Sequence, residues 1–69
     1  MDRPKGFTEN RFLGDKRSQV VYDLDDDATP AGAIDDLMVA EAYLAFGPDT
    51  LAEARNRGYR LWQGSRAEA

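Results

Sequence analysis

With 69 residues and a formal charge of −4, the chain can form one small domain at most, and its core is marginal. It contains neither Cys nor His, which excludes a disulfide staple, a Cys/His zinc site, a thiol nucleophile and histidine acid–base chemistry. No apolar run approaches the roughly 20 residues of a membrane span and no signal-peptide pattern opens the chain, so the expected location is cytoplasmic.

The charge falls in blocks. Residues 1–18 carry five bases and three acids, residues 19–53 nine acids and no base, and residues 54–69 four arginines and one acid. That order argues against a continuous basic surface for direct nucleic-acid binding. It leaves two readings of the acidic middle. Either the flanking arginines neutralise it within the chain, or it presents an acidic face to a basic partner.

Residues 1–15 read as a polar N-terminal arm, with Pro4 and Gly6 and little to bury. Phe7 and Phe12 stand out on it as aromatic anchors that fill a partner's pocket or pack back on the domain. The domain itself is expected over 16–63, with a frayed tail at 64–69. Ser18 to Leu24 reads as its first strand, with Val20, Tyr22 and Leu24 on one face and Val21 and Asp23 on the other. Asp25, Asp26 and Asp27 end that strand. After a turn containing Thr29 and Pro30, a short helix is expected around 33–39, with Ile34, Leu37 and Met38 on its apolar face.

Residues 40–46 are ambiguous. Helix propensity would extend the preceding helix to Phe46, whereas alternation of Ala42, Leu44 and Phe46 describes a strand ending at Gly47-Pro48. The signals that follow agree with one another. Thr50 and Glu53 have capping-box spacing, Pro48 bars helix from upstream, and Gly58 supplies a left-handed stop. Asp49 and Glu53 are expected at the positive end of the helix dipole, with Arg55 and Arg57 at the negative end. Tyr59 to Trp62 reads as a last short strand. The fold class is therefore α+β, a small single domain of two to three short strands with two short helices.

Chemistry-bearing clusters are few. Asp23 with Asp25, Asp26 and Asp27 is the one metal-like group, but an EF-hand needs glycine at its sixth position and glutamate at its twelfth, where this chain has Ala28 and Ile34. A weak carboxylate site for a hard cation is the residual alternative to a solvated loop. Paired carboxylates acting as acid and base would need a pocket that shifts their pKa values, and a chain of this size has little room for one. An anion at the helix start would be repelled by Asp49 and Glu53. No enzyme activity and no cofactor are expected.

The order strand, turn, Ile34-Asp35-Asp36-Leu37, strand, Phe46-Gly47-Pro48-Asp49-Thr50-Leu51-Ala52-Glu53-Ala54 and Gly58-Tyr59-Arg60 resembles the small zinc-binding module typified by the metal-binding domain of the Ada DNA-repair protein. The resemblance covers roughly residues 16–65 and favours the strand reading of 42–46. It implies a metal ligand set that this chain has lost. Val21-Tyr22-Asp23-Leu24 matches a Val-His-Asp-Leu-like motif with Tyr22 in place of His. Gly32 stands near the first Cys position, and Trp62 and Ser65 stand at the positions of a Cys-x-x-Cys pair. A metal-free descendant must replace a zinc site that contributes on the order of 10 kcal/mol to such folds. Tyr22, Leu61 and Trp62 are the expected replacements. Trp62 has two readings: it closes the core between the strands and the capped helix, or it is exposed as a binding anchor.

These features lead to a non-catalytic accessory subunit that docks on a larger protein or enzyme complex through Phe7, Phe12 and Trp62. The alternative is an acidic inhibitor or nucleic-acid mimic whose unbroken acidic segment, residues 19–53 with Asp25, Asp26 and Asp27 among them, engages a basic groove. A degraded metal module with a weak carboxylate site is a third reading.

Overall fold

In a computed structural model, which describes residues 4–64, six elements follow in the order β1 (Phe12–Asp15), β2 (Val20–Asp23), α1 (Ala31–Val39), β3 (Tyr43–Ala45), α2 (Leu51–Asn56) and β4 (Arg60–Leu61). They form an α+β single domain with one mixed sheet. The sheet has four strands rather than two to three, in the order β3-β1-β2-β4. β1 is antiparallel to both its neighbours, and β4 runs parallel to β2.

The extra strand is β1, and it corrects the expected arm. Residues from Phe12 onward belong to the centre of the sheet, and all four β1 residues are buried. Its short sequence, Phe-Leu-Gly-Asp, lacks the alternation of a half-exposed strand because each face is covered by a helix. Facing residues of paired strands share a face, so Phe12, Gly14 and Val21 look one way and Leu13 and Tyr22 the other. Phe12 and Val21 pack with Phe46, Ala54 and Tyr59 on the side of α2. Leu13 and Leu24 pack with Ile34, Leu37 and Ala42 on the side of α1. Each of the fully buried Leu and Ile side chains contributes about 1.5–3 kcal/mol relative to exposure. The faces expected for β2 and α1 are the faces observed.

Both helices end in the same device. At α1, Ala42 N–H donates to Leu37 O and Glu41 N–H to Met38 O, with Glu41 left-handed at φ 53°. At α2, Tyr59 N–H donates to Ala54 O and Gly58 N–H to Arg55 O, with Gly58 at φ 85°. These are Schellman stops, each sealed by an apolar pair, Ala42 with Leu37 and Tyr59 with Ala54. The stop at Glu41 is what resolves 40–46 into a turn and a strand instead of more helix.

Half of the expected capping box forms. Thr50 Oγ1 accepts Glu53 N–H at 3.1 Å, but Thr50 N–H donates to Pro48 O and the Glu53 carboxylate takes Arg57 Nε at 2.6 Å. Asp49 is not spent on the helix dipole. Its carboxylate accepts Arg11 N–H at 2.6 Å and Phe12 N–H at 2.9 Å, fixing the entry of β1.

Candidate functional site

The charged side chains first decide what is left for a partner. Arg11 grips the buried Asp23 in a two-pronged contact, Nε to Oδ1 at 3.2 Å and Nη2 to Oδ2 at 3.1 Å, and also lies 3.6 Å from Asp25. Asp23 Oδ1 further accepts Asp25 N–H, and Thr29 Oγ1 donates to Asp23 O at 2.7 Å, so the acidic loop is tied back on β2. Arg17 makes a second knot. It binds Asp15 through Nε and Nη2 and bridges to Asp36 of α1 at 2.9 Å. The Arg17 guanidinium and N–H hold the Asp15 carboxyl below the usual carboxylate range against the opposing effect of burial. Hydrogen bonding to Asp23 raises the Arg11 guanidinium in turn, and Asp15 and Asp36 do the same for Arg17.

The N-terminal block of bases thus neutralises part of the acidic middle within the chain. Arg17 on Asp15 has a local signal in the sequence: the Asp15 carboxylate also accepts Arg17 N–H at 2.9 Å, a two-residue turn of the kind aspartate favours. Arg11 on Asp23 and Asp49 on β1 span long sequence separations and have no such signal.

The residues expected to meet a partner scatter. Phe12 is 4% exposed in the core beneath α2 and is not available as an anchor. Phe7 is half-buried with its ring edge-on to Tyr43 at 5.2 Å, and both pack against the cluster on the side of α1. In the loop after β2, Asp25 and Asp27 are exposed, while Asp26 Oδ1 accepts Ala28 N–H at 2.8 Å. Among the described residues, no three of His, Cys, Asp and Glu are grouped to hold a metal ion.

Trp62 does not sit between the strands and the capped helix. The parallel register that puts Leu61 beside Val21 turns Trp62 to the opposite face, where its ring lies tilted on Tyr22 with centroids 6.2 Å apart. Both rings are half-buried, and Trp62 stands outside both buried clusters. Burial, with the Asp15 carboxylate behind it, pushes the Tyr22 phenol up. The space beneath α2 is filled instead by the edge-to-face rings of Phe46 and Tyr59, centroids 5.3 Å apart, resting on Gly14. Leu61 packs against that cluster.

What the fold assembles on its surface is therefore the β2–β4 end of the sheet. There, Tyr22 and Trp62 lie beside the exposed Arg60 on the outermost strand. No protein-family model matches the chain, and no curated protein or solved structure matches it. Among the described residues, no helix is long and apolar enough to cross a membrane. Gly32 is exposed in the first turn of α1, and Ser65 lies outside the described residues.

Proposed function

We propose that the chain is a non-catalytic accessory protein of the cytoplasm that docks on a larger protein or enzyme complex through the β2–β4 end of its sheet. The observation that carries this reading is the half-buried Trp62, which stands outside both cores at the margin of the sheet with its ring on Tyr22, itself packed against the cluster on the side of α1. Tryptophan and tyrosine in such settings dominate binding energy at interfaces. The buried carboxylates Asp15 and Asp23 are engaged by arginines, which favours a structural role for them over acid–base chemistry. Partners of this kind involve neither direct nucleic-acid binding nor a membrane.

Descent from an Ada-type module fits the same contact. Tyr22 and Trp62 occupy two positions where the resemblance places ligands, and their rings meet. The rival reading, an acidic mimic that engages a basic groove, is weakened by the internal engagement of Asp25 and Asp26.

The test is capture of the partner by tagged full-length chain from its native cell, repeated with Trp62→Ala. Retention of a larger protein that falls roughly thirtyfold in the variant supports docking through Trp62. Retention unchanged in Trp62→Ala, or no retention by the wild type, overturns it. Retention that collapses with salt and requires Asp25, Asp26 and Asp27 assigns the protein to the mimic class instead.

A further inference from the structure

The two margins of the sheet differ. At the β3 margin, Phe7 lies against Tyr43 and Glu41 stands at the strand's entry. At the β4 margin, Arg60 N–H donates to Gln19 O and Trp62 N–H to Val21 O, both toward β2. Strand alternation then turns the N–H and C=O of Leu61, the residue between them, away from the sheet. A strand edge with outward backbone groups is a template for one more strand. β4 has only two residues on the sheet, so an added strand would also lengthen and brace it.

That edge carries a basic residue, because Arg60 is exposed on the strand itself. Among the described residues its side chain makes no ion pair. The C-terminal turn of α2, with Arg55 and Arg57, leads directly into β4, although Arg57 is paired with Glu53 and Arg55 is also engaged. The carboxylates of the Asp25–Asp27 loop follow the far end of β2, away from this flank, because β4 and β2 start together at Arg60 and Val20.

We infer that the β4 edge accepts an acidic, extended segment of the partner protein as a fifth strand, with backbone bonds to Leu61 and carboxylates toward Arg60. The inference rests on the docking reading above and names the chemistry of the segment that docks. Strand addition of this type takes its affinity from main-chain hydrogen bonds and its selectivity from side chains on alternate positions. Here the selectivity is for negative charge.

The probe is a short capped peptide alternating valine with aspartate, added to the full chain and followed by backbone amide NMR. The expected result is a shift and slowed exchange of the Leu61 amide, with affinity that falls as salt is raised. Arg60→Glu should weaken the peptide by about tenfold or more while leaving the amide spectrum of the core in place. N-methylation of alternate peptide amides should abolish binding. The inference is overturned by an absence of binding, by binding that leaves Leu61 unprotected, or by full affinity in Arg60→Glu. It is equally overturned if the lysine-for-aspartate peptide binds in its place, or if Leu61 is already protected by a second copy of the chain. A native partner that still binds Arg60→Glu at full strength rejects strand addition and leaves docking standing. Absence of any partner for the wild type rejects docking itself.

Discussion

Asp49 and Phe12, far apart in sequence, are joined by a 2.9 Å hydrogen bond from the Phe12 N–H to the Asp49 carboxylate, whose other oxygen accepts Arg11 N–H at 2.6 Å. One side chain from the entry of α2 thereby anchors the start of the central strand and couples the two halves of the chain. Such charge-assisted bonds are stronger than neutral ones. Asp49→Ala is expected to cost about 1–3 kcal/mol in urea unfolding, with early loss of amide protection along β1. Asp49→Asn, which turns an NH2 toward one of the two donors, should recover little of it. Wild-type stability in both variants would show that the bond carries nothing.

Gly14 explains why β1 needs a glycine. A Cβ at that position would stand 2.8 Å from the Tyr59 ring and 2.9 Å from the Phe46 ring, both packed in the core under α2. The rings cannot both move without opening the cluster that contains Val21 and Ala54. Gly14→Ala should therefore destabilise by about 1–3 kcal/mol, the usual cost of overpacking. The double variant Gly14→Ala with Phe46→Leu should recover part of the loss, and a single variant of undiminished stability would refute the contact.

How much of this was legible follows from which signals are local. The capped helix was, because Thr50 and Gly58 act within their own turns. β2 and the apolar face of α1 were too, because period alone places Val21 opposite Tyr22 and Ile34 beside Leu37. β1 was not. Gly14 looks unlike a strand residue until Phe46 and Tyr59 cover it, and those partners come from elsewhere in the fold, while Asp15 is satisfied by its near neighbour Arg17. The placement of Trp62 was least legible, since the side on which it falls depends on the register of β4 against β2.

Acid should act through Asp15. Its folded pKa lies below the ordinary value of 3.8, chiefly because Arg17 hydrogen-bonds the carboxylate. A carboxylate depressed by folding stabilises the native state above its unfolded pKa, and that contribution fades as pH falls below about 3.8 through the folded value. Arg17→Gln is expected to move the Asp15 titration, followed by carboxyl NMR, upward toward 3.8 and to flatten the stability curve in that acid window. The wild type and the variant should differ most at neutral pH and converge in strong acid. An unmoved Asp15 titration would separate Arg17 from the effect.

The two Schellman stops predict opposite responses to glycine chemistry. Glu41 adopts φ 53°, where a side chain costs about 1–2 kcal/mol, part of which Glu41→Gly gives back as extra freedom of the unfolded chain. The net expectation is a gain of about 0.5–1 kcal/mol. Gly58 sits at φ 85°, so Gly58→Ala should lose about 1 kcal/mol. Denaturant midpoints moving in the same direction for the two variants would contradict the shared geometry.

Trp62→Ala separates a surface pair from a core plug. Loss of a fully buried tryptophan or phenylalanine costs about 3–5 kcal/mol, enough to unfold a domain this small. Trp62 is half-buried and touches Tyr22 on the face away from α2, so its removal forfeits part of one side chain's burial and one ring contact. The expected cost is about 1–2 kcal/mol, with the fold retained by far-UV circular dichroism. Phe46→Ala, at a core position 5% exposed, should by contrast cost the full 3–5 kcal/mol, as an order of magnitude. Trp62 is also the chain's one tryptophan, so its emission reports the surroundings of this one ring, which lies against Tyr22 and Gly64. Tyr22→Ala should shift that emission to the red by admitting water to the indole while the core strands stay protected from exchange. If instead Trp62→Ala is unfolded and Phe46→Ala is not, the two aromatics have exchanged roles and the β2–β4 surface loses its anchor.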